Sequence, residues 1–435
     1  MHPAAPHSKS GPASATHLLR RAQRNDAKGA APTPAVLSTD AVASQLVEEV
    51  SLDDTASHAD ADADAEPTCL YMVLSHAGKL VYVHGDDAAW GGAYLQAGVL
   101  HAMLTLFGTS EELQYITLAP SLYMAFFSRM PLHVVAATHC AESPALVRAH
   151  LERVYAAVLS LFSAPRLDTL FAHAPNIDLQ GLMGPMAQYI DAAVVAMHAS
   201  LAFALDAVPV RALEPTVRAA ASAALVHLAS DQLPQGVLYL QLWDDECLLC
   251  HAHPRHHTPS PTDLSLLHAM VRFGAGKDDL WAPLCLPRAA PHGFVYVYAS
   301  RISKATNAPW FVLVCADRDG QAASRACRDA LSQAPSVAAL CAVLAQPGPE
   351  PLAPVPGLRD VAFVSRRRQQ CIVPSFLPVR RHRLYAQLLQ ALRGDERALR
   401  AAAAAHDGPR APPVAAPLHM VVQRTAHEAL LGWRT

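Results

Sequence analysis

One order of elements, strand, strand, helix, three strands, helix, recurs along this chain and limits its fold more than any single motif does. In the first occurrence Cys69 to Leu74 and Leu80 to His84 are short apolar runs around the turn Ala77-Gly78, the pattern of a hairpin. The spacing then predicts a helix from Ala88 to Phe107. No charge interrupts it; Leu95, Val99, Met103 and Leu106 share one face, and Leu100, Leu104 and Phe107 carry that face around the cylinder. Three strand-like runs follow, Leu113 to Leu118, Leu122 to Ser128 and Leu132 to Thr138, divided by Pro120 and Pro131. A helix from Pro144 to Ser163 closes the unit, with Val147, Leu151, Val154, Val158 and Phe162 on one face and Arg148, Glu152 and Arg153 off it.

After a helical stretch from Met186 to Leu228 the order returns. Strands are expected at Gly236 to Leu242 and Glu246 to Ala252, a helix at Thr262 to Phe273, strands at Trp281 to Leu286, Phe294 to Ser300 and Trp310 to Ala316, and a helix at Ser324 to Gln333. A third copy starts near Leu358 with strands at Asp360 to Val364 and Gln369 to Val373. A helix from Val379 to about Ala405 and strands at Leu418 to Gln423 and Ala429 to Trp433 follow, without the last strand and helix. The expected fold class is α+β, three tandem β-β-α-β-β-β-α units with antiparallel sheets, the third incomplete. The boundaries are a disordered tail over 1–66, a first unit over 67–175, connecting helices over 176–235, a second unit over 236–345, a Pro-rich linker over 346–357 and a third unit over 358–435. The tail is Ala, Pro, Ser, His and Asp with almost no aromatics, too polar to offset the entropy of ordering.

Charge excludes some functions. With 34 Lys and Arg against 37 Asp and Glu, a net charge of -3, the chain has no overall basic field for wrapping nucleic acid, and no nucleic-acid partner is expected. Only 16% of residues are charged, which points to a surface covered in part by another protein. The nine cysteines are scattered singly through apolar runs and read as buried thiols of a reducing compartment. The acid-free Met1 to Asn25, with Arg20, Arg21 and Arg24, raises a mitochondrial presequence, but its apolar face is only Leu18 and Leu19 and the tail reading is preferred. The apolar stretch Ala192 to Leu205 is broken by His198 and Ser200 and is too short to cross a bilayer.

Motifs for chemistry fail on spacing. Cys247, Cys250, His251, His253, His256 and His257 are the residue types zinc selects, yet on a strand Cys247 and Cys250 would point to opposite faces. Gly274-Ala275-Gly276-Lys277 lacks the first glycine and the Ser or Thr of a phosphate loop, having Val271 and Asp278 there. His427-Glu428 has Leu431 where a zinc protease needs its second His. The acidic run Asp60, Asp62, Asp64, Glu66 lacks the mid-loop glycine of a calcium hand. No catalytic residue, cofactor or metal is expected. Two basic clusters stand out: Arg366, Arg367 and Arg368 in the first turn of the third unit, and Arg380, Arg381 and Arg383 at the start of its helix. Together they suit anionic lipid headgroups or the acidic face of a partner.

Several stretches resemble one family: Ser75-His76-Ala77-Gly78-Lys79-Leu80-Val81-Tyr82 followed by Gly85-Asp86-Asp87, Trp281-Ala282-Pro283-Leu284-Cys285-Leu286-Pro287, Cys315-Ala316-Asp317-Arg318, and Leu430-Leu431-Gly432-Trp433. In this order they are similar to the Mon-one vacuolar fusion proteins, from about Pro67 onward. The resemblance implies three longin domains. It also implies a complex with a second longin protein of the Ccz-one type, acting as guanine-nucleotide exchange factor for a Rab-seven-type small GTPase on late endosomes, multivesicular bodies and vacuoles. The chain would then be cytoplasmic, held peripherally on anionic phosphoinositide membranes, and would perform no chemical catalysis. Its partner and GTPase interface would lie in the first domain, on Trp90, Tyr94, Leu95, Val99, Met103 and Leu106, and its lipid contacts on Arg366, Arg367, Arg368, Arg380, Arg381 and Arg383. The competing readings are a longin-type trafficking adaptor without exchange activity and a hydrolase or metal enzyme using the His and Cys residues. Family members continue past the Gly-Trp pair for a strand or two and a helix. Here an open sheet edge is expected, completed by a partner, defective, or reflecting a truncated gene model.

Overall fold

The computed structural model describes residues 49–51, 69–85, 93–107, 115–119, 122–138, 144–231, 233–234, 236–255, 257–274, 279–305, 307–346, 357–374, 381, 384–385, 388–389, 392, 420–424 and 429–433. The disordered tail expected over 1–66 lies outside these, apart from a strand β1 (Glu49–Ser51). The first unit contains β2 (Cys69–Ser75), β3 (Leu80–His84), α1 (Ala93–Phe107), β4 (Tyr115–Ala119), β5 (Leu122–Arg129), β6 (Leu132–Thr138) and α2 (Pro144–Phe162). Connecting segments are α3 (Ala164–His173), α4 (Leu179–Met183), α5 (Ala187–Ala199), α6 (Leu201–Ala204), β7 (Val208–Pro209) and α7 (Pro215–Asp231). The second unit contains β8 (Val237–Trp243), β9 (Leu248–Ala252), α8 (Pro261–Phe273), β10 (Asp279–Leu286), β11 (Ala290–Arg301), β12 (Trp310–Cys315), α9 (Gln321–Ser332) and α10 (Pro335–Leu344). The last strands are β13 (Phe363–Ser365), β14 (Gln370–Ile372), β15 (Met420–Arg424) and β16 (Ala429–Trp433).

The recurrence read from sequence extends to topology. The two large sheets run β3-β2-β6-β5-β4 and β10-β11-β12-β8-β9, so numbered within each unit both have the order 2-1-5-4-3, and every neighbouring pair in them is antiparallel. Strands two and three of each unit lie at opposite edges, so the helix joining them must cross a sheet face. In the first unit that helix is α1, in the second α8. The central strands are buried on both faces, which is why β2 and β6 read as continuous apolar runs.

The two sheets bury one face each against a common layer of helices. Val147, Leu151, Val154 and Val158 of α2, Ile190 and Val194 of α5, and Leu267 and Met270 of α8 share one core with Tyr71, Val73 and Val134 of the first sheet and Val297, Val312 and Val314 of the second. Each such side chain contributes about 1.5–3 kcal/mol by leaving water. The second sheet's other face, including Leu242, Phe311 and Leu313, is covered by Ala221 and Leu225 of α7, Cys327 and Leu331 of α9, and Val337 and Leu340 of α10. Thus the first unit turns its closing helix inward and its crossing helix outward, and the second does the reverse. Ser260 caps α8 by accepting from the Asp263 amide at 3.1 Å, while the buried Asp263 carboxylate accepts from the amides of Arg288 (3.2 Å) and Ala289 (2.9 Å), tying the helix to the β10–β11 turn.

Strands of the third run do not form one sheet. β13 and β14 make a hairpin joined in parallel by β7, and β15 and β16 make a second joined in parallel by β1. Neither addition is legible in the sequence, because both bring short segments from far along the chain. No fifth strand is present among the described residues of this run.

Burial holds several imidazoles neutral. His268, stacked on Trp243 at 4.8 Å, is pushed down to about 4 mainly by loss of water, as is His251; His133 is lowered by burial, then by His101 and His76. The unfolded chain, with imidazoles near 6.5, therefore takes up protons first. The stability these groups confer is complete above pH 6.5 and is lost as pH falls toward 4. A urea midpoint that drops between pH 7 and pH 5 is expected, with a shallower drop in His268→Asn.

Candidate protein-binding face

The residues of α1, from Ala93 to Phe107, contain no Asp, Glu, Lys or Arg. One side packs inward: Ala97, Leu100 and Leu104 are buried against Leu70, Met72, Leu74, Phe126 and Val135. The β2–β3 turn lies close against the middle of the helix at Gly78, whose φ is +78° and where a Cβ would come within 2.6 Å of the His101 ring. The opposite side holds Gly98, Val99, Ala102 and Thr105, all exposed. Val99 is 51% exposed, and nearby in sequence Tyr115, at the edge strand β4, is 54% exposed. Thr105 does not add polarity to this side, since its hydroxyl donates to the His101 carbonyl at 2.8 Å within the helix. Among the described residues the face is apolar, shallow and uncharged, a surface of the kind that protein partners cover.

Of the expected interface residues, Val99 points outward and Met103 is partly buried. Tyr94, Leu95 and Leu106 lie within α1, but their side chains are outside the described residues, and Trp90 is outside altogether. Sequence reading placed Val99 with the apolar stripe and did not single out Gly98, Ala102 and Thr105. Their signal is small residues at helical spacing opposite Ala97, Leu100 and Leu104.

Elsewhere the chemistry is that of protonated thiols. Cys247, Cys250 and Cys371 are raised to about 12 and Cys285 to about 11, each chiefly by burial, which favours the protonated thiol at neutral pH. Among the described residues no group of three or more His, Cys, Asp and Glu is placed to hold a metal ion. A cavity of about 130 Å³ between α2, α5, α6 and α8 contains Arg153, whose guanidinium donates to Ser265 and lies 5.0 Å from the Phe203 ring. In the third run Arg366, Arg367 and Arg368 form an exposed turn. Arg381 is engaged with Asp360 at 2.5 Å, and Arg380 and Arg383 lie outside the described residues. No described helix is long and apolar enough to cross a membrane.

Comparison with known proteins agrees with this architecture. Residues 69–192 match the family model described as the first longin domain of FUZ, MON1 and HPS1, and residues 235–333 match the second longin domain of the same proteins. The relatives include the vacuolar fusion protein MON1 of Mycosarcoma maydis, 26% identical over 56% of this chain and 36% of the relative. That of Cryptococcus neoformans is 25% identical over 84% of this chain and 58% of the relative. The human MON1 homolog B is 29% identical over 53% of this chain and 42% of the relative. The chain belongs to the MON1 family. It spans between about a third and three fifths of the length of these MON1 relatives. The longin models begin and end on the two complete sheets with their helices, and α1, with its outward face, lies within the first.

Inner and outer sides of α1 should separate on mutation in this MON1-family chain. Leu104→Ala is expected to lower unfolding free energy by about 2–4 kcal/mol, from lost burial and the cavity left behind. Val99→Ala should change it by less than about 0.5 kcal/mol. Chemical denaturation of the two variants tests this.

Proposed function

We propose that the chain is a subunit of a heteromeric guanine-nucleotide exchange factor that pairs with a Ccz-one-type longin protein and activates a Rab-seven-type GTPase during vacuolar fusion and late endosomal traffic. The reading is supported chiefly by the outward apolar side of α1 on the first longin domain, a face suited to a permanent protein partner. The relatives' name, vacuolar fusion protein, supports the trafficking context.

No nucleophile is needed for this work. An exchange factor binds the nucleotide-free GTPase more tightly than the loaded form, and linkage then requires the nucleotide to be held more weakly in the ternary complex. The element biased is the pair of switch loops, ordered by phosphate and magnesium and held apart by a rigid docking surface. A longin sheet buried on both faces, with α1 fixed on it by Leu100 and Leu104, provides that rigidity. Val99, Met103 and the small residues Gly98 and Ala102 meet the partner longin domain. The same complex would sit peripherally on late endosomal, multivesicular and vacuolar membranes.

Release of a fluorescent guanine nucleotide from the GTPase tests this directly. Chain plus partner should accelerate release, and Val99→Glu should reduce the acceleration by about tenfold, equivalent to about 1.4 kcal/mol, while leaving the fold intact. Partner binding without any acceleration would instead describe a trafficking adaptor.

A further inference from the structure

We propose that the cavity between α2, α5, α6 and α8 binds a small organic carboxylate, its anionic end paired with Arg153 and its apolar body among Met197, Phe203, Val208 and Trp243. At about 130 Å³ the space is close to the roughly 150 Å³ that holds a benzene-sized molecule in an apolar interior. Its walls come from segments far apart in sequence: α2 of the first unit, the connecting helices α5 and α6, α8 of the second unit, and Val373 and Pro374 just after β14. Asp206, Glu246 and Arg272 also line it and are exposed, so the cavity reaches the surface on their side.

Arg153 makes this an anion site. Its spacing sets it off the apolar stripe of α2, where a fully solvated side chain is expected, yet it is partly buried between α2 and α8. The guanidinium donates to the Ser265 hydroxyl and lies 5.0 Å from the Phe203 ring. A guanidinium has five N–H donors. Among the described residues this one has a single hydrogen-bond partner, Ser265, and no carboxylate forms an ion pair with it. Burial pulls its pKa down to about 10, which the charges of Asp206 and Asp263 partly oppose, and the group stays charged at neutral pH. Asp263 is already engaged by the amides of Arg288 and Ala289. His268 adds no second charge to the inner wall: it is held neutral by burial, is stacked on Trp243 and donates from Nε2 to the Asp245 carbonyl at 3.1 Å. A cation withdrawn from water without a carboxylate is costly until an anion completes it.

The surroundings select the kind of anion. The N–H groups that Ser265 does not use match a planar acceptor with two oxygens, the geometry of a carboxylate. A dianion such as inorganic phosphate fits less well, because the exposed side chains of the lining are two acids, Asp206 and Glu246, against one cation, Arg272. The remaining wall is apolar and takes a short aliphatic or aromatic body. Bound there, the ligand would touch both longin units and the third run at once and would stabilise them by mass action. The site is independent of the exchange reading.

The test uses the full chain and 4-fluorobenzoate, followed by fluorine NMR, with thermal unfolding of the same samples. Saturable line broadening and an unfolding temperature that rises with ligand concentration are expected. 4-Fluorobenzamide, of the same shape without the charge, should bind about tenfold more weakly. Arg153→Met should erase the preference for the acid and still fold, since it removes an unpaired charge and Ser265 keeps its bond to the Thr262 carbonyl at 2.8 Å. Ala196→Leu, which fills the cavity from α5 and leaves Arg153 in place, should weaken both probes about tenfold. If Arg153→Met does not fold, Ala196→Leu and the ratio of acid to amide in the parent chain decide the matter. No saturable binding of the acid, equal affinity for acid and amide, or acid binding unchanged by either substitution would overturn the proposal. Inorganic phosphate displacing 4-fluorobenzoate at equal concentration would also overturn it, and would assign Arg153 to a phosphate.

Discussion

The architecture depends on one shared layer, in which α2, α5 and α8 are buried between the two complete sheets. A longin sheet has two apolar faces and cannot leave both in water, and the crossing and closing helices of each unit cover one face apiece. Because the first unit contributes its closing helix to the shared layer and the second its crossing helix, the units present opposite faces outward. The second unit's outer face gains α7 and α10 beside α9, whereas the described residues place only α1 over the outer face of the first. Polar ties reinforce the arrangement: Tyr71 lies between His150 (3.1 Å) and His198 (2.9 Å), and Tyr82 donates to Asp191 of α5 at 2.7 Å.

From that asymmetry the functional reading follows. A helix without charge, seated on its own sheet by Leu100 and Leu104 and backed by small residues, is a stable platform whose second side is open to a partner. The proposed exchange function, conformational work by differential binding, suits this construction, since the platform is rigid.

Much of the fold was legible because each signal was local. The α2 stripe Val147, Leu151, Val154, Val158 and Phe162 is buried as its spacing implied, and strands separated by Pro131 or by the turn before Lys79 lie where alternation and turn residues put them. What could not be read is long-range pairing. β7 beside β14 and β1 beside β15 depend on contacts between segments separated by more than a hundred residues, and β7 is only two residues long. The orientation of α1 was only partly legible, because a helix apolar around its circumference has no stripe to say which side meets the sheet. The packing decides that Ala97, Leu100 and Leu104 face inward and Val99 outward. Arg381 could not be separated from its basic neighbours by sequence, whereas its contact with Asp360 gives it a structural role.

Hydrogen exchange of the chain with and without the longin partner proposed for it tests the central claim most directly. If the outer side of α1 is the docking face, amides of residues 93–107 should exchange more slowly in the complex, while those of α8 in the shared layer are unchanged. A stable complex in which α1 exchanges as fast as in the free chain, with protection confined to the second unit, would contradict it.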